Sequence, residues 1–123
     1  MQGSVLAAVL LVTPMAASAQ GDRVPIELSS FKFTPKTITL HHGQHYVLHF
    51  SNTSGGGHDF VARSFFAAAR LDTPQSVKDG KVALDGGESA DIGLTAPQPG
   101  RYEAHCSHFM HATFGMTGTI VVD

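Results

Sequence analysis

The stretch His45-Tyr46-Val47-Leu48-His49-Phe50 alternates with period two, placing Tyr46, Leu48 and Phe50 on one side and His45, Val47 and His49 on the other. That is the pattern of a strand with one buried face, because successive side chains leave a pleated chain in opposite directions. Upstream, His42-Gly43-Gln44 makes a turn, and Lys36 to Leu40 alternates again with Ile38 and Leu40 on one face. Phe31 and Phe33 are expected to point the same way before Thr34-Pro35, and Val24 to Leu28 reads as the first strand. Downstream, Asn52-Thr53-Ser54-Gly55-Gly56-Gly57 reads as a flexible loop leading into His58-Asp59-Phe60-Val61.

The rhythm breaks at residues 64–71 (SFFAAARL). Ser64 is the expected cap, Ala67 to Ala69 favour helix, and Asp72-Thr73-Pro74 ends the segment. This predicts a short helix within a connecting excursion of about eighteen residues. Strand patterns resume at Lys81 to Leu84 and Ala90 to Leu94, separated by Asp85-Gly86-Gly87. After the turn Pro97-Gln98-Pro99-Gly100 come Arg101 to Cys106, with Tyr102, Ala104 and Cys106 on one face, and a final strand at Gly118 to Val122. Seven or eight short strands with one minor helix predict an all-β fold, an antiparallel Greek-key β-sandwich.

The chain has 123 residues, with eight Lys and Arg against ten Asp and Glu, eight His, one Cys and no Trp. A formal charge of −2 supplies no basic field for nucleic acid or anionic lipid. Residues 1–19 carry no charged side chain, and their apolar run at residues 4–12 is too short to span a bilayer. Ala17-Ser18-Ala19 then offers a small-x-small cleavage pattern, although Met1-Gln2-Gly3 lacks the usual basic residue. Residues 1–19 are therefore read as an export signal, and residues 20–123 as one domain with no membrane span after cleavage. Export to a periplasmic or secreted location puts the lone thiol of Cys106 in an oxidising compartment, so something should bury or occupy it.

The segment that carries chemistry is Tyr102 to Gly118 (YEAHCSHFMHATFGMTG). Cys106, His111 and Met116 are spaced five and five between two predicted strands, and His58 follows the Gly-rich loop. A thiolate, two imidazoles and a weak thioether suit copper, because the soft sulfurs favour Cu(I) while the nitrogens accept Cu(II). The bland alternative makes Cys106 a small buried hydrophobe and Met116 core filler.

These residues resemble a known family, the type 1 blue-copper proteins or cupredoxins, with a loop spacing similar to the auracyanin and sulfocyanin kind. The resemblance runs over residues 24–122. Phe31-x-Phe33-x-Pro35 with Thr37 to Leu40 resembles the opening strands. Pro99-Gly100-x-Tyr102-x-x-x-Cys106 resembles the approach to the copper cysteine, and Gly115-Met116-x-Gly118 the methionine end. The resemblance implies one copper ion held by His58, Cys106, His111 and Met116. It implies a Cu(II)/Cu(I) one-electron carrier, not an enzyme, that docks transiently on redox proteins as a monomer. Cys106 would be the electronic path, His111 the exposed exit, His58 the buried equatorial ligand and Met116 the axial tuner. Phe109, Met110 and Phe114 around His111 are the expected docking patch.

Three positions depart from the family's pattern. Asp59 stands where Asn is frequent after the first His, and Phe109-Met110 where Pro-Gly is frequent before the second. His108, two residues after Cys106, is a competing ligand, but the family's closing His lies three or five residues after Cys, which favours His111. Of the remaining histidines, His45 and His49 lie about 13 Å apart along a strand and cannot share an ion. Only His41, His42 and His45 around the turn offer a second metal site, against a reading as solvated edge residues. His105 is expected at the surface beside Glu103, and Phe65-Phe66 are expected to pack the helix on the sandwich. Two rivals stand beside the electron carrier: a periplasmic copper trafficking, buffering or resistance protein, and a metal-free Ig-like binding module.

Overall fold

The computed structural model describes residues 3–5, 7–9 and 21–123, so the expected signal at 1–19 lies largely outside the described residues. Strand β1 (Asp22–Ser29) turns into β2 (Lys32–Thr34), and the chain then crosses to a second sheet with β3 (Thr37–Leu40). It returns as β4 (His45–Asn52), crosses again as β5 (His58–Val61), and makes helix α1 (Arg63–Ala68) followed by β6 (Arg70–Leu71). A 3₁₀ turn at Pro74–Ser76 leads to β7 (Lys81–Leu84), β8 (Ser89–Thr95), β9 (Gly100–His105) and β10 (Thr117–Val122). The described residues form two five-stranded sheets, ordered β2-β1-β4-β8-β6 and β3-β10-β9-β5-β7.

The expected sandwich is there, with the helix where the broken rhythm put it. Two ladders, however, run parallel: β1 with β4, and β3 with β10. Crossing to the other sheet after β2 brings the chain back along β1 in the same direction. Side-chain alternation reports which face is buried but not which way a neighbour runs.

The alternation of β4 is realised in full, with Tyr46, Leu48, Phe50 and Asn52 buried and the residues between them half-buried. Phe60 lies at the centre of the core, its ring 5.0 Å from those of both Phe33 and Phe50. Phe65 and Phe66 are buried and fasten α1 to the sandwich. Ser64 does not cap this helix; Ala62 occupies the N-cap position with no side-chain hydrogen bond. Phe31 also departs from expectation, because residues 30 and 31 form the turn between β1 and β2. Phe31 has φ 60° and is 44% exposed, whereas Phe33 is buried.

No helix among the described residues is long and apolar enough to cross a membrane.

Candidate metal centre

The Cys106 side chain follows from register. Ala104 faces the core on β9, and two residues on Cys106 leaves the strand end on the same side, buried. Its N–H donates to the Met116 carbonyl at 3.1 Å, closing the base of the loop between β9 and β10. Inside the loop, the His111 N–H donates to the His108 carbonyl and the Met116 N–H to the His111 carbonyl. Two further turn bonds run from Phe114 to Met110 and from Gly115 to Ala112. The loop thus holds its shape through its own backbone, without the proline that often stiffens it. Met110 has φ 65°, which explains why a glycine commonly stands there: the left-handed region carries no Cβ penalty for glycine.

His58 begins β5, and its position depends on the preceding loop. That loop is pinned, not free. Buried Asn52 donates to the carbonyls of Gly56 at 2.8 Å and Leu84 at 3.1 Å, while its own oxygen accepts from Ser54 N–H and hydroxyl. Gly86 presses against the same loop so closely that a Cβ there would lie 2.7 Å from the Gly55 carbonyl carbon. Neither contact is visible in the Gly-rich sequence, which reads as flexible.

These loops bring His58, Cys106 and His111 together. Cys106 Sγ lies 3.4 Å from His111 Nδ1 and 3.9 Å from His58 Nδ1, and the two nitrogens are 3.2 Å apart. Donors about 2.0–2.3 Å from a common first-row ion have such separations when they subtend roughly 100–130° at it. Met116, fully buried at the end of the same loop, lies beside this group in sequence and fold. Two imidazoles and a thiolate in a near-trigonal set fit copper better than a closed tetrahedral zinc site.

Burial lowers the pKa of His58, and the neighbouring His111 and His108 lower it further, so its lone pair is free for a metal at neutral pH. Burial likewise raises the Cys106 thiol, which holds its proton until a cation replaces it. Asp59 is buried beside them. Burial opposes its charge, yet hydrogen bonds from Ser107 and Cys106 prevail and hold its pKa below the usual carboxylate value. One Asp59 oxygen accepts the Ser107 N–H at 2.6 Å and the other the Ser107 hydroxyl. Asp59 therefore ties the His58 strand to the Cys106 loop, the role an Asn amide plays in the family.

The rim is apolar. Phe109 is 90% exposed, Phe114 and Met110 are exposed around His111, and Phe31 joins them from the β1–β2 turn. The Phe31 ring meets His111 edge-on at 5.1 Å and Phe114 at 5.4 Å. The alternating pattern has Phe31 pointing the same way as Phe33, which is buried. The approach of Phe31 to His111 is a tertiary contact across eighty residues, invisible to local pattern.

The other histidines do not gather. His41 pairs with Asp123, His42 Nδ1 with the Pro97 carbonyl, His45 with Asp72 and His49 with Asp91. Each has its own partner, so no second site forms at the turn. His41 and His42 are exposed in the turn after the edge strand β3, as expected of solvated edge residues, whereas His45 and His49 lie on β4, mid-sheet between β1 and β8. Among the described residues, only His58/Cys106/His111 and Asp59/Cys106/His108 gather three donors closely enough for one ion.

The sequence profile of the cupredoxin-like domain matches residues 3–122. The chain belongs to the cupredoxin-like family. Among solved structures it is similar to dithionite-reduced auracyanin from Roseiflexus castenholzii, with 24% identity over 82% of this chain and 96% of that one and a TM-score of 0.63. Auracyanin A, described as a "blue" copper protein from Chloroflexus aurantiacus, has 19% identity over 82% and 99% and a TM-score of 0.57. The McoA multicopper oxidase of Aquifex aeolicus shares the fold over 91% of this cupredoxin and 31% of its own chain, at 15% identity and a TM-score of 0.66. No curated protein sequence matches the chain.

Proposed function

We propose that this cupredoxin is an exported type 1 copper protein that carries single electrons between redox proteins. The observation that carries the reading is the convergence of His58 Nδ1, His111 Nδ1 and Cys106 Sγ within 3.9 Å of one another at one end of the sandwich. His58, Cys106 and His111 would hold the ion, with Met116 as the weak fourth donor. Copper supplies one-electron Cu(II)/Cu(I) chemistry when bound.

The chain's own residues do the rest. The hydrogen-bonded loop and the Asp59–Ser107 tie hold the donors in one arrangement for both valences, which keeps the rearrangement on electron transfer small. His111 is half-buried and reaches the rim, so an electron enters or leaves through its ring. Phe31, Phe109, Met110 and Phe114 offer a partner an apolar surface that sheds water on contact. With all donor positions supplied by the protein, no place is left for a substrate, which favours a carrier over an enzyme.

Adding Cu(II) to the purified domain tests the reading. An intense blue or green thiolate charge-transfer band is expected, and it should vanish in Cys106→Ser. A colourless wild-type protein would overturn the copper assignment and leave a metal-free binding module. Fast electron exchange with a small redox protein is the carrier's signature; tight Cu(I) retention with sluggish exchange would instead mark a buffering or trafficking protein.

A further inference from the structure

The resting donor set is not the only one built on the Cys106 sulfur. Asp59, Cys106 and His108 also bring one donor atom each within 4.8 Å of one another. Access separates their histidines, since Asp59 and Cys106 are both buried. Cys106, His58 and Met116 are buried, His111 is half-buried, and His108 is exposed. The His108 ring nevertheless stays with the group: it stacks on His111 with centroids 5.4 Å apart and planes 19° apart, and lies 6.3 Å from His58. Gly57 leaves room for it, since a Cβ at that position would lie 3.2 Å from His108 Cε1.

We propose that His108 is a capture ligand, an exposed imidazole that takes copper from solvent onto Cys106 and passes it inward to His58 and His111. The proposal rests on the copper reading above. A hydrated ion loses its waters one at a time, each to an incoming donor, and a buried sulfur cannot displace the first. His108 is the most exposed of the imidazoles gathered at the sulfur.

Because Cys106 belongs to both sets, inward passage keeps the copper–sulfur bond and exchanges the other donors. The thiol proton leaves to solvent as that bond forms. The His108–copper bond then breaks as the His58 and His111 bonds form, with no change of valence. A phenylalanine would serve the stack on His111 equally well; only capture needs a nitrogen at this position.

Stopped-flow mixing of the apo-protein with aqueous Cu(II), followed at the thiolate charge-transfer band, tests this. His108→Ala and His108→Phe should both reach the wild-type spectrum, but more slowly by about tenfold, the scale at which losing an accessory partner of a metal site is felt. Loading of His108→Phe at the wild-type rate would reduce the residue to a stacking ring and overturn the proposal. Unchanged loading of His108→Ala would do the same, and an altered final spectrum in either variant would make His108 a resting ligand instead. Absence of the band in wild-type protein would bring down the copper reading itself, a distinct outcome.

Discussion

Asp59 shows how one atom changes a site. Asn and Asp are nearly the same shape, and the carboxylate ties the ligand loops through Ser107 as an amide would. What differs is a charge held in place next to the metal position, with a pKa below the ordinary carboxylate range despite burial. A nearby negative charge favours the more positive ion, Cu(II), and so depresses the potential. Asp59→Asn is therefore expected to raise the reduction potential of the copper-loaded protein by tens of millivolts. Voltammetry at neutral pH checks it, and an unchanged or lowered potential would show that the charge is compensated. The sequence marked this residue as a departure; only the structure supplied Ser107 as its partner.

Among the elements, the loop from Cys106 to Met116 carries most of the site. Its turns are closed by backbone bonds, and it tolerates Met110 in the left-handed region. A side chain there costs about 1–2 kcal/mol relative to glycine, offset in part by the extra freedom glycine brings to the unfolded chain. Met110→Gly should accordingly stabilise the apo-protein by about 0.5–1 kcal/mol, read as a higher urea midpoint with unchanged slope. The same change removes a hydrophobe from the rim, so tighter folding with weaker docking is the expected pair of outcomes.

Strand β4 contrasts with this loop. Its inward residues were legible from alternation alone, but its outward histidines were not, because their partners Asp72 and Asp91 come from distant segments. The Gly-rich loop before His58 misled in the other direction. Three consecutive glycines suggest freedom, yet Asn52 and the close approach of Gly86 hold the backbone where His58 needs it.

For the molecule as a whole, copper is a tether as well as a cofactor. The proposed ligands are His58 from one loop and Cys106, His111 and Met116 from another, and an unfolded chain does not hold them together. Metal binding therefore adds to folding stability by mass action, about 4 kcal/mol at a free concentration a thousandfold above Kd. In a domain of this size that corresponds to a rise in Tm of about 15 °C or more. Calorimetry with and without Cu(II) measures it, and the gain should largely disappear in Cys106→Ser. A gain that survived that substitution would place the binding elsewhere.

The sequence by itself determined the buried faces of the strands, the position of the helix, and the spacing of Cys106, His111 and Met116 on one loop. Those properties repeat over two to five residues and are written in local pattern. Only the tertiary structure decided the parallel pairings of β1 with β4 and β3 with β10, the exposure of Phe31 beside His111, and the meeting of Asp59 with Ser107. Each of these depends on which segments lie side by side after the chain has crossed between sheets. Alternation fixes the side of the sheet a residue faces; it carries no record of what stands opposite.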